Sequence, residues 1–398
     1  MVIKERPFYQ YFDWLLVLAP LVLTAIGIVM IYDTTNLTPG LDTSDLLHDF
    51  TFRQIVYAVF GLVVIFGLSA IDYHFYATIR WPIYLGTVAL LTVVFAIGEI
   101  THGAQRWIDL SFFQLQPSEL SKLVLVLVLA KFLADNEREI SRWRTLIISL
   151  GLIGLPMVLV YLEPDLGTTL ILGFIWLVMI IAAGLDWKQI VLMALLVIIL
   201  LPLIWLTLQP YQKNRVMTFL NPEADPTGEG YNPLQARIAI GSGGIWGRGV
   251  GSSVQSQLRF LRIRHTDFIF SVIGEELGLW GGIFFFVVFA FIILRLLRAA
   301  LIAHSTYGRL IAIGFAAALF VPSFVNLGMN LGLMPVTGIP LPFVSSGGSS
   351  LLTFMMMVGI VESILAHDKA THLRTSPDDK KKKALPKTPQ YGEVWAYK

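Results

Sequence analysis

The sequence predicts an all-α polytopic membrane protein of about ten transmembrane helices, with a large extracellular loop between the seventh and eighth. Three observations carry this reading. Hydrophobic residues make up 56% of the 398, charged residues only 14%, against about 25% charge in soluble globular chains. The apolar residues gather in runs long enough to cross about 30 Å of hydrocarbon at about 1.5 Å per residue. The basic residues between those runs alternate from one connection to the next.

In order, the runs cover 14–32, 52–71, 81–97, 120–133, 146–162, 168–183, 190–207, 277–297, 310–329 and 351–365. The fourth and sixth are short for a span and suit tilted or partly re-entrant helices. The first continues into a span without a small-residue cleavage site, so it is expected to be retained rather than removed as a signal peptide. An even count puts both termini on one side. The even connections carry Arg80, then Lys131, Arg138, Arg142 and Arg144, then Lys188, then Arg295, Arg298 and Arg309. The short odd connections carry only Arg53 and Arg106. Both termini are therefore expected in the cytoplasm and the odd loops outside.

Residues 1–366 read as one membrane domain and 367–398 as a polar, proline-containing tail expected to be disordered. Its lysine run at 380–383 serves as a solubilising segment or touches anionic lipid. Within the domain, 208–267 forms the long outer loop, and an insertion of that size usually has a function. A net charge of +2 gives no electrostatic footprint for nucleic acid, and the absence of cysteine excludes disulfides, thiol nucleophiles and thiolate metal sites. The seven histidines lack metal-ligand spacing. Gly247, Gly249 and Gly251 resemble a nucleotide loop only superficially, since no strand precedes them.

The polar residues that could carry chemistry collect at the outer ends of the runs. Asp267 follows Arg262, Arg264 and His265 and precedes an apolar helix. There it reads either as a helix cap, suited to the positive end of the dipole, or as a general base at a membrane-facing mouth. Glu275 and Glu276 are costly at membrane depth unless solvated or paired. Glu119 and Lys122 share a helix face and can pair. Lys122 in a first turn opposes the dipole, so either Glu119 or an external anion must balance it. With Arg106 nearby, the alternative to a structural ion pair is a pocket for a phosphate-bearing headgroup. The run from Ser345 to Ser350 offers open amides to an anion or small residues for close helix packing. Glu163-Pro-Asp165 adds two outer carboxylates.

With these residues in hand, the sequence resembles the SEDS family (shape, elongation, division and sporulation proteins), its RodA branch above all. The motifs are Gly103-Ala-Gln-Arg-Trp107, Gln116-Pro-Ser-Glu-Leu-Ser-Lys122, Glu163-Pro-Asp-Leu-Gly-Thr168, Gly230-Tyr-Asn, Gly241-Ser-Gly-Gly244, Gln255-Ser-Gln-Leu, His265-Thr-Asp-Phe-Ile-Phe270 and Pro335 through Ser350. Ser346 departs from the tyrosine common in the family. The resemblance implies a peptidoglycan glycosyltransferase of the bacterial cytoplasmic membrane that polymerises lipid II on the outer face during cell elongation. It implies a class B penicillin-binding protein as cross-linking partner, beside other membrane proteins of the elongation complex. It places the catalytic acid at Asp267, with Arg106 and Lys122 as candidates to hold the donor pyrophosphate and Glu119 to orient Lys122. A divalent cation, Mg2+ or Mn2+, is a possible assistant, although the sequence shows no preformed site. A lipid II transporter and a non-catalytic scaffold for a cell-wall synthase are the rival readings.

Overall fold

The computed structural model describes residues 12–36, 49–101, 104–110, 113–252 and 265–374. Gly103, the Gln255-Ser-Gln-Leu element and the lysine run of the tail lie outside them. Each of the ten apolar runs lies on a helix: α1 (Trp14–Asn36), α2 (Phe50–Ala70), α4 (Arg80–Ile97), α5 (Pro117–Asp135), α6 (Trp143–Leu162), α7 (Leu166–Ala182), α8 (Trp187–Thr207), α11 (Ile269–Ile302), α12 (Thr306–Asn330) and α13 (Gly348–Arg374). Six of these are long and apolar enough, by length and composition alone, to cross a membrane. Short α3 (His74–Thr78) leads into α4, and α13 runs on past Ala366 to Arg374.

Side chains at the starts of several helices satisfy first-turn amides that would otherwise lack partners. Asp49 caps α2, Asp165 caps α7, Asp186 caps α8 and Ser305 caps α12. Pro117 opens α5 at a position where a missing N–H costs nothing. Leucine and isoleucine on α8 stay exposed, Ile199 by 72%. In a chain this apolar such a face meets lipid. At the centre, α5 buries nearly its whole length against α4, α7 and α12.

Two features depart from a plain bundle. The connection between α4 and α5 is a three-stranded antiparallel meander, β1 (Glu99–Thr101), β2 (Ala104–Leu110) and β3 (Phe113–Leu115). The long loop is partly helical, with α9 (Pro210–Leu220) and α10 (Tyr231–Gly243).

The eighth membrane helix starts earlier than its apolar run, at Ile269, and breaks at Gly278, whose φ of 64° and ψ of −157° leave the helical region. A break frees carbonyls that need new donors in the absence of water. The glycine-rich segment after α10 supplies them. The amides of Arg248 and Gly249 donate to the carbonyls of Glu275 and Glu276, each at 3.0 Å, and the Leu279 amide donates to the Gly244 carbonyl at 2.9 Å. A Cβ on Gly278 would stand 2.3 Å from the Gly247 nitrogen. Gly247, Gly249 and Gly251 all have positive φ, so the run is a backbone plug.

Beside this break, the Glu276 carboxyl on α11 meets that of Asp33 on α1, with the Gly251 amide adjacent. The two residues are only 1% and 2% exposed. None of their four carboxyl oxygens lies at hydrogen-bond distance and angle from a donor. Two acids packed against each other inside the bundle, with the Gly251 amide beside them and no base, work against the fold. Asp33→Asn, which lets an amide donate to Glu276, is therefore expected to stabilise the protein by about 1–3 kcal/mol, read as a higher thermal midpoint in detergent; a lower midpoint would refute it.

Candidate active site

The segment from His265 to Asp267 is held by its backbone. Three successive carbonyls are each engaged from another part of the chain. The Ser346 amide donates to the His265 carbonyl at 2.9 Å. The Ser345 hydroxyl donates to the Thr266 carbonyl at 2.6 Å and receives the Leu341 amide at 2.9 Å. The Asn326 and Asn330 side-chain amides both donate to the Asp267 carbonyl at 3.0 Å. Asn326 also ties down the Ile339 carbonyl at 2.8 Å, and Asn330 receives the Ser271 hydroxyl at 2.6 Å. The last outer loop therefore acts as a brace for the Asp267 backbone.

Asp267 is not a helix cap. Phe268 holds the cap position of α11, without a side-chain hydrogen bond. The Asp267 side chain instead lines a cavity of about 380 Å³ whose other walls include Tyr211, Arg215, Glu229, Arg237 and Gly338. Gly338, at φ 74°, leaves the room; a Cβ there would lie 3.7 Å from Asp267 Oδ2. Arg215 and Arg237 come from α9 and α10, inside the long loop. Arg215 donates to the Thr337 carbonyl at 3.2 Å with its guanidinium 5.8 Å from the Tyr211 ring centre. Arg237 donates to the Gly332 carbonyl at 3.3 Å. Both lean on neutral carbonyls, so their charge faces the cavity without a carboxylate partner in those bonds. A carboxylate opposite two guanidinium groups suits an anionic substrate with a proton to lose.

Arg106, Glu119 and Lys122 do not line this cavity. Arg106, on β2, donates through Nε to the Glu163 carbonyl at 2.9 Å and through Nη2 to the Pro164 carbonyl. Pro164 is strained at φ 31°, and its carbonyl also receives the Tyr211 hydroxyl at 3.1 Å. Tyr211 thus joins the Arg106 turn to the Asp267 cavity. Asp165 is committed to Thr168, through its amide at 3.0 Å and its hydroxyl at 2.9 Å.

Lys122 and Glu119 form the ion pair allowed by their spacing, Nζ to Oε1 at 2.7 Å, with side chains 1% and 3% exposed. Lys122 also sits 5.4 Å from the centre of the Phe354 ring. The start of α5 is tied to the start of α13 by Ser349, which receives the Gln116 amide at 3.0 Å and donates to the Gln114 carbonyl at 2.6 Å. The Ser345–Ser350 run therefore braces helix starts on two sides.

Sequence reasoning missed Arg215, Arg237, Asn326 and Asn330. The asparagines carried a signal, two amides four apart in an otherwise apolar helix, which places them on one face. The arginines carried none, because seven basic residues share that loop.

Fold and site together define a mostly helical multi-pass membrane protein with an acid-bearing cavity at one end of the bundle. The chain belongs to the FTSW_RODA_SPOVE family, described as cell cycle protein, whose model matches residues 13–370. It is 42% identical over 318 residues to peptidoglycan glycosyltransferase MrdB of Escherichia coli K12, covering 80% of this chain and 86% of that relative. Among solved structures it resembles a chain of a peptidoglycan synthase complex that coordinates polymerization and crosslinking, with TM-score 0.75 and 32% identity over 90% of this chain and 98% of that one. It also resembles the rod shape determining protein RodA of Thermus thermophilus, with TM-score 0.67 and 30% identity over 92% and 99% of the two chains. Members of this family are multi-pass proteins of the bacterial cytoplasmic membrane, and so is this chain.

Proposed function

We propose that Asp267 is the general base of glycan polymerisation in this chain, acting in the cavity that it shares with Arg215 and Arg237. The chain is a peptidoglycan glycosyltransferase that polymerises lipid II for cell elongation, and it works with a class B penicillin-binding protein. The bracing of three consecutive carbonyls carries the assignment of the base, because it holds a carboxylate in a cavity opposite cations at a position where capping does not explain it.

The donor is an α-linked lipid pyrophosphate and the product a β-1,4 glycan, so a single inverting displacement is enough. Asp267 takes the proton from the acceptor 4-hydroxyl as that oxygen attacks the donor C1. The C1–oxygen bond to pyrophosphate breaks, and its electron pair leaves with the pyrophosphate. Arg106, half-buried and linked to Tyr211 at the cavity wall through the Pro164 carbonyl, is assigned to that leaving group. Arg215 and Arg237 supply positive charge to the same cavity. Glu119 and Lys122 stay sealed together behind α13, where they support the site rather than face the cavity.

Among the described residues, no three of His, Cys, Asp or Glu gather to hold a metal ion. No step is routed through a cation. The reaction faces outward and both termini face the cytoplasm, on the charge asymmetry of the connections.

The test is to purify the chain with its class B partner and supply labelled lipid II. Wild type is expected to release polymer and undecaprenyl pyrophosphate. Movement of lipid II across vesicles without polymer would instead favour transport, a reading that gains from the buried ionisable residues Lys122 and Glu276. Because the chain has no cysteine, Asp225→Cys gives a single reporter; a membrane-impermeant thiol reagent should label it from outside intact cells.

A further inference from the structure

Glu163 is a buried acid at the candidate site end that the mechanism does not use. Its side chain is 1% exposed, and neither carboxyl oxygen has a hydrogen-bond partner. The Arg106 guanidinium lies beside it yet binds the backbone, donating to the carbonyls of Glu163 itself and of Pro164. A carboxylate is the stronger acceptor for a guanidinium, and bidentate pairing is its ordinary choice. Arg106 passing over an adjacent acid in favour of two neutral carbonyls is the arrangement expected when that acid carries its proton.

We propose that Glu163 is a positioning residue for the donor: as a neutral acid it leaves the charge of Arg106 to the incoming pyrophosphate, and as a carboxylate it claims that charge. The inference rests on the reading of Arg106 as a pyrophosphate-binding group.

The surroundings agree. Burial raises the Glu163 carboxyl to about 8, the Asp165 carboxylate beside it adds to the rise, and Arg106 opposes it. Three polar groups face the turn: Asp165 from the same turn, committed to Thr168; Arg106 from β2; and the Tyr211 hydroxyl from α9, committed to the Pro164 carbonyl. Arg106 is the single cation among them. As pH rises through about 8, Glu163 loses its proton and Arg106 gains a carboxylate partner. The pyrophosphate then competes with that partner for the same N–H groups. The turn is already strained at Pro164, and Tyr211 carries any shift of that carbonyl to the wall of the Asp267 cavity.

The experiment measures KM and kcat for lipid II from pH 7 to 9 on the complex with its partner, for wild type, Glu163→Gln and Arg106→Ala. Wild-type KM is expected to rise on the order of tenfold across that range, the value of one charge-assisted contact. In Glu163→Gln, KM at pH 9 should equal its own value at pH 7, since the amide cannot ionise. A second readout needs no substrate: an infrared band of a protonated carboxylic acid, present in wild type at pH 7, lost on raising the pH through about 8, and absent from Glu163→Gln. Arg106→Ala should move that loss to higher pH, because the opposing cation is gone. A pH-dependent KM that persists in Glu163→Gln overturns the proposal, as does a band absent at pH 7. If Arg106→Ala leaves KM unchanged while the band behaves as stated, the pyrophosphate reading of Arg106 has failed and the protonation of Glu163 stands.

Discussion

Asp267→Asn is expected to lower the rate of lipid II polymerisation by about 10²–10⁴-fold, the range over which a positioned base contributes to a proton transfer. The loss should fall on kcat, with KM for lipid II changed little, because an amide keeps the size and hydrogen-bonding reach of the side chain and removes only its basicity. Folding should be preserved for a reason visible in the structure. What holds residue 267 in place is its carbonyl, through Asn326 and Asn330, together with the carbonyls of Thr266 and His265. None of those bonds involves the carboxylate. Asp267→Glu makes a second test of the same geometry. It restores a base of similar strength on an arm one methylene longer, which shifts the carboxylate from the place that the braced backbone gives it, so it should recover a small part of the rate. An Asn variant that polymerises at the wild-type rate would remove Asp267 from the base role.

Hydropathy made the membrane helices legible because crossing lipid constrains length and composition more strongly than any local propensity does. It misplaced the start of α11, where Glu275 and Glu276 interrupt the apolar run although the helix is continuous through them. Their surroundings are tertiary: a break at Gly278, amides from a glycine loop 27 residues earlier in the chain on their backbone carbonyls, and the carboxyl of Asp33 from α1 beside Glu276. Asp267 was legible through its place between basic residues and an apolar helix, and its motif sharpened the choice. Its supports were harder to read. Asn326 and Asn330 stand out only once their face is known to meet the start of α11, and the serine run reads equally well as an anion loop until its hydroxyls are seen on His265, Thr266 and Gln114. The meander that carries Arg106 is too short to show a strand period of its own. The expectation that Arg106, Glu119, Lys122 and Asp267 share one rim assumed that residues at one end of a bundle converge; packing instead buries one pair between α5 and α13 and turns Arg106 onto the α6–α7 turn.

Burial of that pair decides what its mutation can reveal. Lys122→Ala is expected to destabilise the protein by about 3–5 kcal/mol, because it leaves the Glu119 charge inside without its partner. Glu119 is 2% exposed and its Oε2 already lacks a donor among the surrounding side chains, so no neighbouring side chain stands ready to take over the lost contact. The lysine in turn needs the glutamate, since it stands in the first turns of α5, where the helix dipole repels a cation. A loss of activity in Lys122→Ala would therefore say nothing about the donor until stability is restored. Glu119→Gln combined with Lys122→Met removes both charges at nearly constant volume and keeps the contact with Phe354. Such a replacement is expected to recover most of the lost stability, measured as the thermal midpoint of the purified protein in detergent. If the double variant regains the wild-type midpoint and polymerises lipid II, the pair is a structural clasp between α5 and α13. If it regains the midpoint and stays inactive, the charges act on the donor, and the sealed arrangement must open for them to do so.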